Sequence, residues 1–102
     1  MSYATNAPAR REIDKLSGLA VLEFGTNWCG YCQGAQPLIG DAFAKHPDVR
    51  RIKVEDGPGR PLGRSFKVKL WPTLVLMRDG TEVARVVRPR SAEDIEDAFA
   101  SL

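Results

Sequence analysis

Both cysteines of the chain fall in one pentapeptide, Trp28-Cys29-Gly30-Tyr31-Cys32, and no other feature limits the fold so tightly. An apolar run, Leu19-Ala20-Val21-Leu22-Glu23-Phe24, precedes it. After it, Ala35, Leu38, Ile39, Ala42 and Phe43 recur at i, i+3, i+4, i+7 and i+8. The C-x-x-C therefore sits where a buried strand turns into an amphipathic helix. In a chain with no other cysteine, that setting points to redox chemistry.

The spacing gives the physical reason. With Cys29 at the helix N-terminus, Cys32 lies one turn on and on the same face. Residues three apart on a helix have Cβ atoms roughly 5–6 Å apart, so a small adjustment brings two sulfurs to bonding distance. The first N–H groups of a helix lack partners and its dipole is positive there. Both favour a thiolate, the nucleophilic form of cysteine. Cys29 is then the exposed nucleophile, and Cys32, a turn deeper, the resolving thiol. Tyr31 brings a backbone N–H that a proline there would lack, and this N–H is expected to point at the Cys29 sulfur.

Other uses of the pair fit less well. So short a disulfide loop restrains the unfolded chain by only about 2 kcal/mol, which is little for a structural bridge. Structural zinc and iron–sulfur centres usually take four ligands. The chain offers two cysteines and one histidine, and His46 lies about four helical turns away. Haem attachment needs C-x-x-C-H, but Gln33 follows Cys32. No metal and no cofactor are implied.

A length of 102 residues suits one compact domain, here 1–102 with residues 1–6 expected to be loose. The net charge of +2, from 15 basic and 13 acidic residues, is too small to imply nucleic acid or a membrane surface. No apolar stretch approaches the roughly 20 residues that span a bilayer. Residues 1–12 contain no apolar signal core, so a reduced, cytoplasmic setting is expected unless an exported form was given a new start methionine.

The remaining elements follow in order. Asn6 is expected to cap a short helix starting at Ala7-Pro8 and ending at Ser17-Gly18. Leu19–Phe24 is a central strand, apolar on both faces except at Glu23. A carboxylate there is costly unless protonated or paired; the alternative is an edge-facing, solvated side chain. A long helix runs from about Gly30 to Lys45, with Pro37 removing one ladder bond. Val49–Glu55 alternates as a strand nearer an edge, and Asp56–Pro61 is a loop leading to a helical turn at Leu62–Phe66. Arg60, Arg64, Lys67 and Lys69 form either a solvated basic face or a rim that selects acidic partners. Thr73–Met77 and Glu82–Val87 form a hairpin around Asp79-Gly80. Ser91 with Asp94 makes a capping box for a last helix carrying Ile95, Ala98, Phe99 and Leu102 on one face. The order α-β-α-β-α-β-β-α predicts an α/β protein.

The stretch around Cys29 resembles the active site of the thioredoxin family, W-C-G-P-C in thioredoxins proper. The likeness extends to Pro37 five residues after Cys32, to Trp71-Pro72-Thr73 as the family's cis-proline loop, and to Asp79-Gly80, and covers roughly residues 7–102. It implies the thioredoxin fold, a mixed central sheet with helices on both faces. It also implies a protein-disulfide oxidoreductase with a part in cell redox homeostasis, acting as a monomer on disulfide-containing proteins and recycled by a reductase or other redox partner. By the same likeness Glu23 corresponds to a buried acid, usually Asp, that works through water as proton acceptor for the second cysteine. Trp28, Gly30, Tyr31, Trp71, Pro72 and Thr73 correspond to the substrate-docking surface, with the Trp71 backbone lying against the substrate chain.

This chain departs from the pattern at Tyr31 in place of proline and at Gly25 in place of tryptophan. Arg88-Pro89-Arg90 stands where a glycine is usual, and Trp71 replaces a smaller isoleucine. These departures bear on partner choice more than on the chemistry. Two alternatives remain. A glutathione-using, glutaredoxin-like enzyme is disfavoured by Gly30, typically proline in that family, and by the additional N-terminal helix and strand. A binding module with incidental thiols is disfavoured by the intact motif, Pro37 and Pro72.

Overall fold

The computed structural model describes all of residues 1–102. Its elements are α1 (Arg10–Asp14), β1 (Leu19–Gly25), α2 (Gly30–Lys45), β2 (Arg50–Glu55), α3 (Pro61–Ser65), β3 (Thr73–Arg78), β4 (Thr81–Val87) and α4 (Ala92–Phe99). The four strands form one sheet in the order β2-β1-β3-β4. β1 and β2 are parallel, while β3 runs antiparallel to both β1 and β4. This is the mixed sheet of the thioredoxin fold, with helices on both faces.

Side-chain alternation along β1 divides the core in two. Val21 faces Ala35, Ile39 and Ala42 of α2 and Ile95 and Phe99 of α4. Ala20, Leu22 and Phe24 face Ile13 of α1 and Leu62 and Phe66 near α3. The same alternation turns Glu23 and Gly25 to the side of Val21, beneath the start of α2. Register places Arg51 of β2 beside Val21 and Lys53 beside Glu23, so both cations share that side. The hairpin at Asp79-Gly80 has positive φ at both residues (50° and 79°), as a two-residue turn of this kind needs. A Cβ on Gly80 would also lie 2.1 Å from the Asp14 carbonyl oxygen, so α1 and the hairpin meet only over glycine.

Two expectations about the N-terminus are corrected. The first concerns residues 1–6, expected to be loose. Tyr3 is 4% exposed, and Ala4 pairs with Val54 along the outer edge of β2, giving Ala4 N–H to Lys53 O and Glu55 N–H to Ala4 O, both 2.9 Å. The segment covers the unpaired edge of β2 and is fixed by a buried aromatic ring. The second concerns the first helix, which begins at Arg10 rather than Ala7. Ala9 at its N-cap is still extended (φ −72°, ψ 153°), and no side chain caps it, so Asn6 plays no capping part. The chain leaves the pairing at Ala4, bends at Thr5-Asn6 and coils only from Arg10.

Candidate active site

β1, the β1–α2 turn, β2 and the loop before β3 converge on the cysteines. Cys29 is the N-cap of α2, with extended backbone (φ −80°, ψ 120°), and its Sγ accepts a hydrogen bond from Cys32 N–H at 3.2 Å. Both cysteines are free thiols. Cys29 is 9% exposed and Cys32 only 1%, which orders them as outer and inner. The donor at Cys29 corrects the expectation for Tyr31: the bond comes from the N–H of Cys32, one residue further on, which is present whichever residue occupies position 31.

The Tyr31 side chain is 64% exposed, and the Arg88 guanidinium lies 3.9 Å above its ring centroid. Arg88 has φ +50°, and its Nε donates to the Trp71 carbonyl at 2.8 Å. One side chain thus links the C-x-x-C turn to the loop holding the cis Trp71-Pro72 bond. Trp28, 72% exposed, meets Trp71 edge-to-face with centroids 5.8 Å apart, and Trp71 Nε1 donates to Asp56 Oδ2 at 2.9 Å. Arg64, Lys67 and Lys69 line a cleft against Trp71, while Arg60 in the same cleft is paired with Glu55. A side chain at Gly30 would meet no atom within 4 Å, so the turn is open to an approaching chain.

Thr73 does not join this surface. It is 1% exposed, and its hydroxyl donates to the Leu70 carbonyl at 2.5 Å, so its side chain braces the loop from within and is not presented to a partner.

Beneath the cysteines, Glu23 is fully buried on the central strand, which removes the alternative of an edge-facing, solvated carboxylate. It is paired. Arg51 Nε donates to Oε1 at 2.8 Å, and Oε2 accepts from the Tyr3 hydroxyl at 2.8 Å and from Gln36 Nε2 at 3.0 Å. Lys53, 8% exposed, donates to Gln36 Oε1 at 2.6 Å and to the Met1 carbonyl at 2.5 Å. Burial lowers the Lys53 ammonium, with the charge of Glu23 opposing. Burial, reinforced by the neighbouring Cys29 thiol, pushes the Cys32 thiol up to about 11. A buried thiol that ionises so reluctantly needs somewhere to send its proton.

Sequence reasoning did not reach Tyr3, Gln36, Arg51 or Lys53, and it singled out Arg88 only as a bulky, basic departure, not as the link between Tyr31 and Trp71. Gln36 could have been found: it stands four residues after Cys32, on the same helix face.

Comparison with known proteins decides what this arrangement belongs to. The thioredoxin family model matches residues 2–101. The chain belongs to the thioredoxin family. Among relatives, a thioredoxin of Chlamydia trachomatis is 39% identical over 72 residues, covering 70% of each chain. A thioredoxin of Chlamydia pneumoniae is 35% identical over 77 residues, 76% of each chain. Among solved structures, thioredoxin 2 of Pseudomonas aeruginosa PAO1 in its reduced form superposes with a TM-score of 0.90 at 61% identity, covering 99% of this chain and 94% of that one. Thioredoxin-family membership and the adjacent cysteine pair make the protein a thiol–disulfide oxidoreductase acting on protein disulfides. The glutathione-using and binding-module alternatives are not favoured. No helix is long and apolar enough to cross a membrane.

Proposed function

We propose that Cys29 attacks the disulfide of a protein substrate, giving a mixed disulfide, and that Cys32 then attacks Cys29 and releases the reduced substrate. The observation that carries this assignment is the hydrogen bond from Cys32 N–H to Cys29 Sγ at the head of α2, joined to the greater exposure of Cys29. The donor from the first turn of α2 fixes the position of that sulfur at the head of the helix, ready to meet a substrate disulfide. Glu23 is the proton acceptor for Cys32. Trp28, Gly30, Tyr31, Trp71 and Pro72 form the docking surface, and a substrate strand that seeks the Trp71 carbonyl meets Arg88 already bonded there. The cleft of Arg64, Lys67 and Lys69 beside Trp71 suits acidic segments flanking the substrate disulfide. A cytoplasmic setting, a monomeric state, a reductase partner and a role in redox homeostasis complete the reading.

Insulin reduction by dithiothreitol, with and without the protein, tests it. Cys29→Ser is expected to abolish the acceleration. Cys32→Ser is expected to accumulate a mixed disulfide that the wild-type chain resolves. A Cys29→Ser protein that retains full activity would refute the assignment.

A further inference from the structure

Tyr3 is the least expected residue of the site. It comes from the N-terminal segment, far from the motif in sequence, yet it belongs to the same buried cluster as Cys29 and Cys32. Its place depends on Gly25. A Cβ added to Gly25 would lie 2.6 Å from Cys32 Sγ, 2.7 Å from the Tyr3 hydroxyl oxygen and 2.8 Å from Tyr3 Cζ. No real Cβ comes so close to other atoms, so the space that a side chain at position 25 would take is shared by the inner thiol and the phenol. The hydroxyl that faces Cys32 across this gap donates its own hydrogen to Glu23 Oε2 at 2.8 Å.

We propose that the Tyr3 hydroxyl is a proton relay between the Cys32 thiol and the Glu23 carboxylate, built by the N-terminal segment into the room that Gly25 leaves. This rests on the assignment of Cys32 as resolving thiol and Glu23 as its acceptor. The step balances as follows. Cys32 Sγ–H passes its proton to the Tyr3 oxygen as Tyr3 O–H passes its own to Glu23 Oε2. The phenol is regenerated, Glu23 becomes a carboxylic acid and Cys32 a thiolate. Cys32 Sγ attacks Cys29 Sγ, the bond from Cys29 to the substrate sulfur breaks, and the substrate leaves as a thiolate that is protonated by water. The cysteine pair is oxidised by two electrons and the substrate disulfide reduced by two. When the Cys29–Cys32 bond is reduced again, the same path returns the proton to Cys32.

The surroundings fit a relay and not a base. Burial, and then the negative charge of Glu23, push the Tyr3 phenol far above its ordinary range, so it remains a hydroxyl that can accept and donate together. The Tyr3 hydroxyl, beside the Cys32 thiol over Gly25, opposes the effect of burial there, as does the Thr26 backbone. The charged and titratable groups around the phenol are Glu23 on β1, Arg51 and Lys53 on β2, Cys29 at the cap of α2 and Cys32 on α2. Arg51 and Gln36 hold Glu23, and Lys53 Nζ lies 4.5 Å from the Tyr3 ring centroid.

The test is the single-turnover rate at which a preformed mixed disulfide on Cys29 is resolved, followed against pH in wild type, Tyr3→Phe and Glu23→Gln. Tyr3→Phe keeps the buried ring and removes only the relaying oxygen. It is expected to slow resolution roughly ten- to a hundredfold near neutral pH, within or just below the range for a positioned proton-transfer group. The deficit should shrink as pH rises and Cys32, held protonated by burial, begins to ionise without help. A deficit equal at every pH marks a structural effect and overturns the relay. Wild-type resolution by Tyr3→Phe beside slow resolution by Glu23→Gln overturns the relay but leaves the Glu23 assignment standing. Failure of Cys32→Ser to accumulate a mixed disulfide overturns the assignment beneath both. If Tyr3→Phe does not fold, 3-fluorotyrosine incorporated at position 3 decides. Its more acidic hydroxyl should shift the pH profile of resolution, and an unmoved profile overturns the proposal.

Discussion

At Gly25 and Tyr31 the chain departs from its family's pattern, and the structure gives the two departures different weights. Gly25 is a steric requirement. Gly25→Ala puts a carbon 2.6 Å from Cys32 Sγ and 2.7 Å from the Tyr3 hydroxyl, so one of them must move. A loss of about 1–3 kcal/mol, the usual cost of overpacking, is expected in denaturant unfolding, with Tyr3 more exposed in near-ultraviolet spectra. Tyr31 is the opposite case. Its ring is exposed and held by Arg88, and the hydrogen bond at Cys29 comes from Cys32 N–H. An exposed contact of cation and ring contributes about 0.5–1 kcal/mol, and it favours oxidised and reduced forms alike. Tyr31→Pro is therefore expected to move the reduction potential by less than about 15 mV, where 30 mV corresponds to 1.4 kcal/mol. A shift of several times that size, measured against glutathione redox buffers, would show that the Tyr31 N–H matters after all.

Among the elements, the segment before α1 and the cap of α4 show what a sequence displays and what it conceals. The capping box was legible because both partners lie within four residues. Asp94 N–H bonds to Ser91 Oγ and Ser91 N–H to Asp94 Oδ2, each at 3.3 Å. Ser91→Ala is expected to cost about 1 kcal/mol, read as a lower urea midpoint at unchanged slope. The strand-like pairing of Ala4 with Val54 was not legible. It joins residues fifty apart in the chain, and a short polar stretch carries no periodicity to announce it. A single aromatic residue, Tyr3, was the signal present. Removing residues 1–4 is expected to leave the sheet folded but to expose the β2 edge and leave Glu23 without one of its three donors. Faster amide exchange along β2 than along β3 would record this, and unchanged exchange in β2 would contradict it.

For the molecule as a whole, fold class, strand types and the cysteine pair could be read in the sequence because each rests on local pattern. The continuous apolar run of β1, the helical stripe of α2 and the Asp79-Gly80 turn all act within a few residues. The buried polar floor of the site could not, since Tyr3, Glu23, Gln36, Arg51 and Lys53 meet only through sheet register and the edge pairing. That floor has a consequence for stability. Cys32 lies at about 11 in the folded chain against an ordinary 9.0, so the folded form binds its proton more tightly. Its contribution is fully present below about pH 9 and is lost as pH rises through about 11. The reduced wild-type protein should thus lose melting temperature more steeply over that window than Cys32→Ser, and equal slopes would count against a buried thiol. The most direct test of the central claim is chemical. Reduced protein treated with less than one equivalent of iodoacetamide at neutral pH, then digested and mapped by mass spectrometry, should carry the label on Cys29. Label found chiefly on Cys32 would contradict the order of attack on which the whole reading stands.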